Sequence, residues 1–331
     1  MEVKILERLT KLRYRCIPRI HGFLYYNDMA SGILLMDYIK GKGDGGAPFY
    51  QSFARYLSGD ELAHERGLSV KLGAIVGGLH IFLNEKSMDS FFGVEEVSEI
   101  DVSKWTRRLH RMYNNGLKRL DKISYSLDRE NREEIDYWRS VVEQEHKIVY
   151  DAISKIDKHG SIYYKARTHQ DLHLAQMIYT GDRFVDFVIT DFEGEPGRSS
   201  EERLSKEPLL RDIASMIRSS HYLSHAAIMN TLNKTRHEAS ILMTRNDPSF
   251  EWRRKHIQWF IQSYLGILHG KDLLGRGIGR DIIEIWTYLY PWIVERAIYE
   301  FYYESLYRPL WVSISIAGLK EIERYLNTKI R

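Results

Sequence analysis

Two short runs of β-forming residues, separated by a turn signal, form the segment that most constrains the fold of this chain. The runs are Met177–Tyr179 and residues 184–189, and Gly181-Asp182 between them favours a tight hairpin. Because the two strands of a hairpin are antiparallel, their outer ends meet. The polar residues just outside the runs are therefore predicted to share one end of the hairpin: His169, Asp171, His173, Gln176, Asp191, Glu193 and Glu195.

The spacing of these polar residues fits the requirements of phosphoryl transfer, which needs a carboxylate that orients an acceptor hydroxyl and oxygen ligands for Mg²⁺. The kinase catalytic loop has the pattern H-x-D-L-x-x-x-N, with an Asp on the metal about twenty residues later. Here residues 169–176 read HQDLHLAQ, and Asp191-Phe192-Glu193 follows. Gln176 replaces the Asn, and its amide oxygen can still bind a hard cation. A solvated acidic hairpin without chemistry is the alternative.

The segments HQDLHLAQ, DFEGEP and LLRDIASMIRSSHY, with ILLMDYIKGKGDG near the start and ERAIYEFYYESLYRPLW near the end, resemble the maltokinases and related sugar kinases. These proteins belong to the aminoglycoside-phosphotransferase-like branch of the protein-kinase fold. The resemblance implies an α+β, protein-kinase-like fold. In it, residues 1–45 would be a remnant of a truncated N-terminal lobe with its hinge, and residues 46–331 a helical C-terminal catalytic lobe that holds the acceptor sugar.

The resemblance also implies ATP and Mg²⁺ as cofactors and a role for individual residues. Asp171 would be the base, with His169 as its catalytic neighbour. The implied nucleotide contacts are Met36, Asp37, Tyr38 and Ile39, the implied metal ligands are Gln176, Asp191 and Glu193, and the implied acceptor contacts are His173, Asp212, Arg296, Glu300 and Tyr303. For Asp212, support of the local geometry is the stronger interpretation. The implied acceptor is maltose, phosphorylated at its anomeric hydroxyl, with a trehalose synthase-type enzyme as a possible partner.

Several alternatives stay open at the level of sequence. Glucosamine or another small sugar could be the acceptor, and an aminoglycoside or a choline-like amine would require a strongly acidic pocket. A catalytically silent pseudokinase that binds a sugar or a partner is a third interpretation. The aromatic residues around Tyr303 at helical spacing are also typical of core packing. His80 is at least as consistent with a hydrogen-bonded core histidine as with a catalytic group.

The family's small lobe has further strands before this chain's first helix. Those strands carry a phosphate-covering loop and a lysine that pairs with a helix glutamate, to which Glu2 aligns. These strands and the maltokinase N-terminal cap are expected to be absent. A misassigned start, a partner chain that completes the lobe, or a degenerate binder would each explain this.

Composition excludes some classes of protein. The net charge of the 331 residues is +3 with both signs interspersed, whereas a nucleic-acid binder needs a concentrated basic face. Cys16 is the only cysteine, so an intramolecular disulfide and a zinc site of several thiolates are excluded. No apolar run is expected to reach the length of a membrane span, and the charged N-terminus does not resemble a signal peptide. We therefore expect a soluble cytoplasmic protein.

Hydrophobic periodicity predicts a mostly helical chain. A first helix over 1–14 is expected to stop before Pro18, and two strands follow at 20–26 and 32–36, joined by a turn at 27–30. The glycine-rich residues 41–46 lack the spacing of a phosphate loop and are expected to form a flexible connector between lobes. Residues 101–158 are expected to form two long helices broken near 114–116 and 124–128, and residues 194–209 an exposed loop over the site. The other predicted helices are 51–62, 67–83, 210–227, 251–268, 281–306 and 312–326.

Overall fold

The computed structural model describes residues 1–26, 30–60, 64–85, 89–181, 186–278 and 281–327. Its architecture is α+β, with small antiparallel sheets among many helices. The helices are α1 Glu2–Lys11, α2 Ala47–Leu57, α3 Arg66–Asn84, α4 Glu99–Ser124, α5 Arg129–Gln144, α6 His146–His159, α7 Ser200–Leu204, α8 Leu210–Thr231, α9 Arg236–Arg245, α10 Phe250–Ile267, α11 Ile282–Tyr307 and α12 Val312–Asn327. The strands are β1 Ile20–Tyr26, β2 Ala30–Met36, β3 Gly43–Asp44, β4 Glu95–Glu96, β5 Tyr164–Lys165, β6 Met177–Tyr179 and β7 Phe187–Ile189.

The predicted hairpin is present as the antiparallel pair β6–β7. Met177 lies opposite Ile189, and Tyr179 lies opposite Phe187. The predicted turn residue Asp182 and residues 184–185 of the predicted second strand lie outside the described residues. The short strand β3 pairs with the other edge of β6, which gives the order β3-β6-β7. The expectation that residues 41–46 form a flexible connector is wrong, because β3 is hydrogen-bonded into this sheet.

The N-terminal helix is shorter than predicted. It ends at Lys11, and Arg13 adopts a φ of 59°, a left-handed conformation that reverses the chain before Pro18 is reached. The helix buries an apolar face that includes Ile5, Leu6 and Leu9. Strands β1 and β2 form a separate two-stranded sheet close to the predicted bounds, and residues 27–29 of the predicted turn lie outside the described part of the chain.

The segment 101–158 forms three helices, α4, α5 and α6, and not the expected two. The break near 114–116 is wrong: α4 runs through Asn114-Asn115-Gly116 without interruption. Gly116 lies against the ring of Phe301 of α11, where an added Cβ would collide with the aromatic carbons. The glycine is therefore a point of close helix packing, and this tertiary contact outweighs its low helix propensity. The predicted break at 124–128 is confirmed, since α5 begins after the N-cap Asp128.

Helix α3 packs along α10, and Gly73 allows the close approach because a Cβ there would meet the carbonyl oxygen of Phe260. By length and composition alone, α3 could cross a membrane, although half of its apolar window is buried inside the protein. The expectation that no stretch passes this test is therefore wrong. The test is weak, because the core helices of soluble proteins also pass it.

The C-terminal half forms much of the core, with α11 packed against α4, α6, α8 and α12. Helices α8, α10, α11 and α12 lie close to their predicted bounds, and α9 is an additional helix that periodicity did not predict. The segment 194–209 is not the expected exposed loop. It contains the short helix α7, and its residues Glu195, Arg198 and Glu207 are buried. This segment and α11 enclose the site described below.

Candidate active site

The loop 168–176 is held in place by Asp212, the third residue of α8. One carboxylate oxygen of Asp212 accepts the backbone N–H of His169 at 2.8 Å, and the other accepts that of Gln170 at 3.0 Å. His80 donates from Nε2 to the same carboxylate at 3.1 Å and lies 2.8 Å from the hydroxyl of Tyr264 through Nδ1. Asp212 and His80 are buried, and through these bonds they hold the backbone of the loop.

His169 connects this loop to Thr190, the residue that follows β7. Its Nε2 lies 2.9 Å from the carbonyl oxygen of Thr190, and its Nδ1 lies 3.3 Å from the backbone nitrogen of Asp171. Since a carbonyl can only accept, Nε2 carries the proton and Nδ1 accepts from Asp171. Burial lowers the pKa of His169, which favours this neutral form. The ring therefore positions the backbone of Asp171 and of the residue before Asp191.

Two residues of the site adopt left-handed backbone conformations that non-glycine residues rarely take. Gln170 has a φ of 71°, and Asp191 has a φ of 60°. Gln170 is fixed by its side-chain amide, which donates to the carbonyl oxygens of Arg203 and Ser205. Backbone strain of this kind concentrates at functional sites, where the surrounding structure has to hold it. Here one strained residue precedes β6 and the other follows β7.

The end of the hairpin brings Gln176 and Asp191 together. Gln176 Nε2 donates to Asp191 Oδ2 at 2.8 Å, and the backbone N–H of Thr190 donates to the carbonyl of Gln176 at 2.9 Å. Asp191 and Glu193 are exposed. Glu2 of α1 also approaches: its carboxylate accepts the N–H of Phe192 at 3.4 Å. Burial raises the pKa of Glu2, and the charges of Glu193 and Asp191 raise it further.

The ligand atoms at this end fit Mg²⁺ by their chemistry. An amide oxygen and a carboxylate are hard oxygen donors, and Mg²⁺ is usually bound by one or two carboxylates together with phosphates and waters. Among the described residues, no group of three or more His, Cys, Asp or Glu side chains is arranged to hold a metal ion by itself. Gln176 and Asp191 would therefore form a partial ligand set that a nucleotide's phosphates could complete.

Asp171 lines a cavity of about 800 Å³ and is only 8% exposed. Its Oδ1 accepts from Arg296 Nη1 at 3.0 Å, and its Oδ2 lies 3.8 Å from His173 Nε2. Burial by itself would raise the pKa of Asp171. The charge of Arg296 and the nearby ring of His173 outweigh burial and hold that pKa below its ordinary value, so the carboxylate is ionised.

The cavity contains about half of the predicted site residues. Those that line it are Asp171, His173, Gln176, Arg296, Glu300 and Tyr303. Among the described residues of its lining, none of the predicted hinge residues is found. Tyr38 is 91% exposed, and Asp37 binds His21 and Arg19, which lower its pKa to about 2. Met36 and Ile39 are half-buried beside them.

A network of buried ion pairs lies behind the cavity, and sequence analysis did not predict it. Arg296 Nη1 bridges Asp171 and Glu195, with 2.7 Å to Glu195 Oε1, and its Nε lies 3.4 Å from Glu300. Glu195 also binds Arg198. Behind this pair, three buried arginines alternate with two buried glutamates: Arg108, Arg198, Arg211, Glu207 and Glu295. Arg108 belongs to α4, where only solvated faces were expected.

Other lining residues were also missed, notably Tyr50, Tyr222, Glu304, Arg308 and Trp311. One signal was available in the sequence. Arg296, Glu300, Glu304 and Arg308 recur at every fourth position within an otherwise apolar and aromatic stretch. On a helix that spacing places charged groups on one face, and charges on a buried face need partners or a ligand.

No protein-family model matches the chain. The comparison with solved structures shows that the chain has the fold of sugar kinases. These structures are glucosamine kinases. Crystal form A aligns with a TM-score of 0.71 at 17% identity over 99% of this chain and 72% of that one. Crystal form B gives 0.67 at 17% identity over 97% and 68%. A complex with glucosamine, ADP and inorganic phosphate gives 0.66 at 18% identity over 96% and 67%. The expected kinase-type α+β fold is thereby supported.

Proposed function

We propose that this chain is an ATP-dependent sugar kinase that uses Asp171 as the base and Mg²⁺ as the metal. Two independent observations support this function. The fold is that of glucosamine kinases. The kinase-like polar residues of the sequence also meet in space, on one large cavity and at one end of one hairpin.

The observation that carries the proposal is the junction between the loop 168–176 and the end of β7. Gln176 is bonded to Asp191 at 2.8 Å, while Asp171 of the same loop faces the cavity. His169 ties the two strands of polypeptide together through Thr190 and Asp171. One hydrogen-bonded unit thus holds Asp171 for the acceptor and Gln176 with Asp191 for the metal. Phosphoryl transfer requires both at fixed positions.

Each residue has a defined task in this proposal. Asp171 accepts a hydrogen bond from the acceptor hydroxyl, orients it and takes its proton. Arg296 keeps Asp171 ionised and fixes its orientation. Because the transition state of phosphoryl transfer is loose, positioning matters more than the strength of the base. Bound Mg²⁺ would be held by Gln176 and Asp191, with Glu193 as a further ligand, and would neutralise charge on the phosphates.

In this proposal the nucleotide would bind between residues 1–45 and the larger segment 46–331, against Met36, Asp37, Tyr38 and Ile39. Phosphates at Gln176 and Asp191 would then lie between this hinge and the acceptor cavity. His173, Arg296, Glu300 and Tyr303 would contact the sugar. Asp212 is assigned a supporting role in this proposal, because both of its carboxylate oxygens accept N–H groups of the loop.

Maltose, phosphorylated at its anomeric hydroxyl, is the acceptor we propose on the basis of the sequence resemblance. Glucosamine is the second candidate, favoured by the three glucosamine kinase structures that share the fold. A cytoplasmic location and a trehalose synthase-type partner belong to the maltose proposal. A sugar-binding protein without kinase activity is the remaining alternative, and it predicts sugar binding without release of ADP.

The test is Mg²⁺-dependent ADP release from ATP with maltose, glucose and glucosamine. Asp171→Asn should lower the turnover rate by about 10²- to 10⁴-fold, the usual contribution of a general base. Arg296 keeps Glu195 and Glu300 as partners in this variant, so the protein should still fold, and a thermal melting curve measures the change in stability. Asp151→Asn, an exposed change on α6, is the matched control and should leave the rate unchanged. An Asp171→Asn variant as active as the parent on every sugar would disprove the assignment.

A further inference from the structure

The outer part of the cavity carries a charged pair that the sequence analysis did not assign. Glu304 is buried on α11 and receives two hydrogen bonds from Arg308, at 2.7 Å from Nη2 and 2.8 Å from Nε. The Arg308 side chain is 50% exposed, and its guanidinium lies over the ring of Trp311 at 5.0 Å. Trp311 is 37% exposed. Arg308 and Trp311 thus belong to the more exposed part of the cavity lining, which we call its outer part, and Asp171 belongs to the buried part.

All four acidic residues among the described residues of the lining have partners within the protein. Asp44 accepts the N–H groups of Gly46 and Ala47, both at 3.0 Å. Asp171 binds Arg296. Glu300 binds Arg218 at 2.7 Å, and Glu304 binds Arg308. Three of these carboxylates are therefore paired with arginines, whereas the exposed Asp44 is bonded to backbone N–H groups. Two of the pairing arginines, Arg296 and Arg308, belong to the lining themselves.

We propose, building on the sugar kinase function, that Arg308, Glu304 and Trp311 form an outer acceptor subsite that selects uncharged sugars over amino sugars. A guanidinium has five N–H donors in a planar fork, so Arg308 can bind sugar hydroxyls while it holds Glu304. The indole ring offers a flat apolar surface to a pyranose face. At this subsite an ammonium group would instead meet the Arg308 cation and a Glu304 carboxylate that is already paired with it. Like charges at close range are unfavourable.

This inference separates the chain from the proteins whose fold it shares. The solved structures carry the name glucosamine kinase, and one of them holds glucosamine. A pocket for an amine needs a carboxylate whose charge the protein leaves for the ligand. At the outer subsite the carboxylate is Glu304, and Arg308 already takes the place that the ammonium group of a ligand would need.

The experiment compares kcat/KM for maltose, glucose, N-acetylglucosamine and glucosamine in the parent protein and in Arg308→Gln and Arg308→Lys. The parent should prefer the uncharged sugars. Arg308→Gln removes the cation and should shift the ratio of glucosamine to glucose towards glucosamine by roughly tenfold or more. Arg308→Lys keeps the charge and should retain the preference for uncharged sugars. Trp311→Ala should raise KM for all sugars without changing that ratio. Arg308 is half-exposed, so these variants should fold, and thermal melting curves check this.

The two proposals fail in different ways. A parent protein that prefers glucosamine, or a ratio that Arg308→Gln leaves within about twofold, overturns the subsite and leaves the kinase function standing. Without turnover of any sugar, the kinase proposal fails, and calorimetric titration of the same sugars decides the subsite. Tighter binding of uncharged sugars then supports it, whereas tighter binding of glucosamine, or no binding at all, overturns it.

Discussion

Two groups of carboxylates lie close together along the chain, and the structure treats them in opposite ways. Asp191 and Glu193 at the end of the β6–β7 hairpin are exposed, and Asp191 is bonded to the neutral amide of Gln176. Glu195 follows almost at once, yet it is buried between Arg198 and Arg296. The exposed group keeps its charge available for a cation from solution. The buried group uses its charge to fix the geometry of Asp171 through Arg296.

This difference would let one acidic segment serve the proposed metal binding and also position Asp171. An exposed carboxylate is stabilised by water and can exchange it for Mg²⁺. A buried carboxylate without a cation would be strongly destabilising, so it must be paired within the protein. Two arginines pair with Glu195: Arg296 of α11 and Arg198 of the segment after the hairpin. These contacts hold residues 194–209 against the core.

The largest effect is expected from the two aspartates, and it should separate metal binding from base function. Asp191→Asn should raise the Mg²⁺ concentration needed for half-maximal ADP release by about tenfold or more, because a charged metal ligand is lost. Asp171→Asn should lower the rate by about 10²- to 10⁴-fold with little change in the Mg²⁺ requirement. Titration of Mg²⁺ at saturating ATP measures both. Equal shifts in the Mg²⁺ requirement for the two variants would contradict the division of roles.

The next prediction uses Glu193 and Glu195, which are identical residues with opposite burial. Glu195→Gln leaves buried arginines without their counter-charge and should lower the free energy of unfolding by about 3 to 5 kcal/mol. Glu193→Gln is exposed and should change it by less than about 0.5 kcal/mol. Urea denaturation of both variants measures the difference. Similar losses of stability would mean that burial does not distinguish these two carboxylates.

A buried ionisable group can also avoid an unpaired charge by losing it, as His225 does. Burial, with a contribution from the charge of His221, lowers its pKa to about 3. Its Nε2 lies 3.2 Å from the carbonyl oxygen of Arg236 and 2.9 Å from the hydroxyl of Ser240. The unfolded chain binds a proton near pH 6.5 and the folded chain does not. This histidine's contribution to stability is therefore present above about pH 6.5 and falls as the pH drops towards 3.

Between pH 6.5 and 4.5 the loss at His225 should reach about 2 to 3 kcal/mol, as an upper value. His225→Gln should flatten the fall in unfolding free energy over this range by that amount. The exposed His110→Gln on α4 is the matched control and should leave the slope unchanged. A slope that is the same in the parent and in His225→Gln would show that this histidine does not titrate on unfolding.

The smallest effect concerns the support of Glu300 from a distance. Gly318 of α12 lies against Arg218, and an added Cβ would collide with its guanidinium. Gly318→Ala should displace Arg218 from Glu300 and raise KM for the sugar by roughly threefold to tenfold, about 1 kcal/mol of binding, with kcat little changed. Gly266→Ala in α10 has open space around the added Cβ and should leave KM unaltered. Steady-state kinetics on both variants decide whether the Arg218–Glu300 pair affects the binding of the sugar.

The sequence by itself determined the elements whose signals are local. The hairpin β6–β7, the placement of Asp171 and Gln176 before it and of Asp191 after it, and the long C-terminal helices all follow from β-forming runs, helical periodicity and a turn signal. The kinase-type fold was expected from the resemblance of several segments to sugar kinases.

Only the tertiary structure decided which charges meet. Arg296 is far from Asp171 and Glu195 in sequence, and no periodicity predicts that one guanidinium joins them. Gly116 could be recognised as a packing position only when Phe301 was placed against it, and the segment 194–209 as buried only when its partners on α4, α8 and α11 were present. Ion pairs and close packing depend on distances between elements, whereas periodicity and turn signals depend on neighbours along the chain.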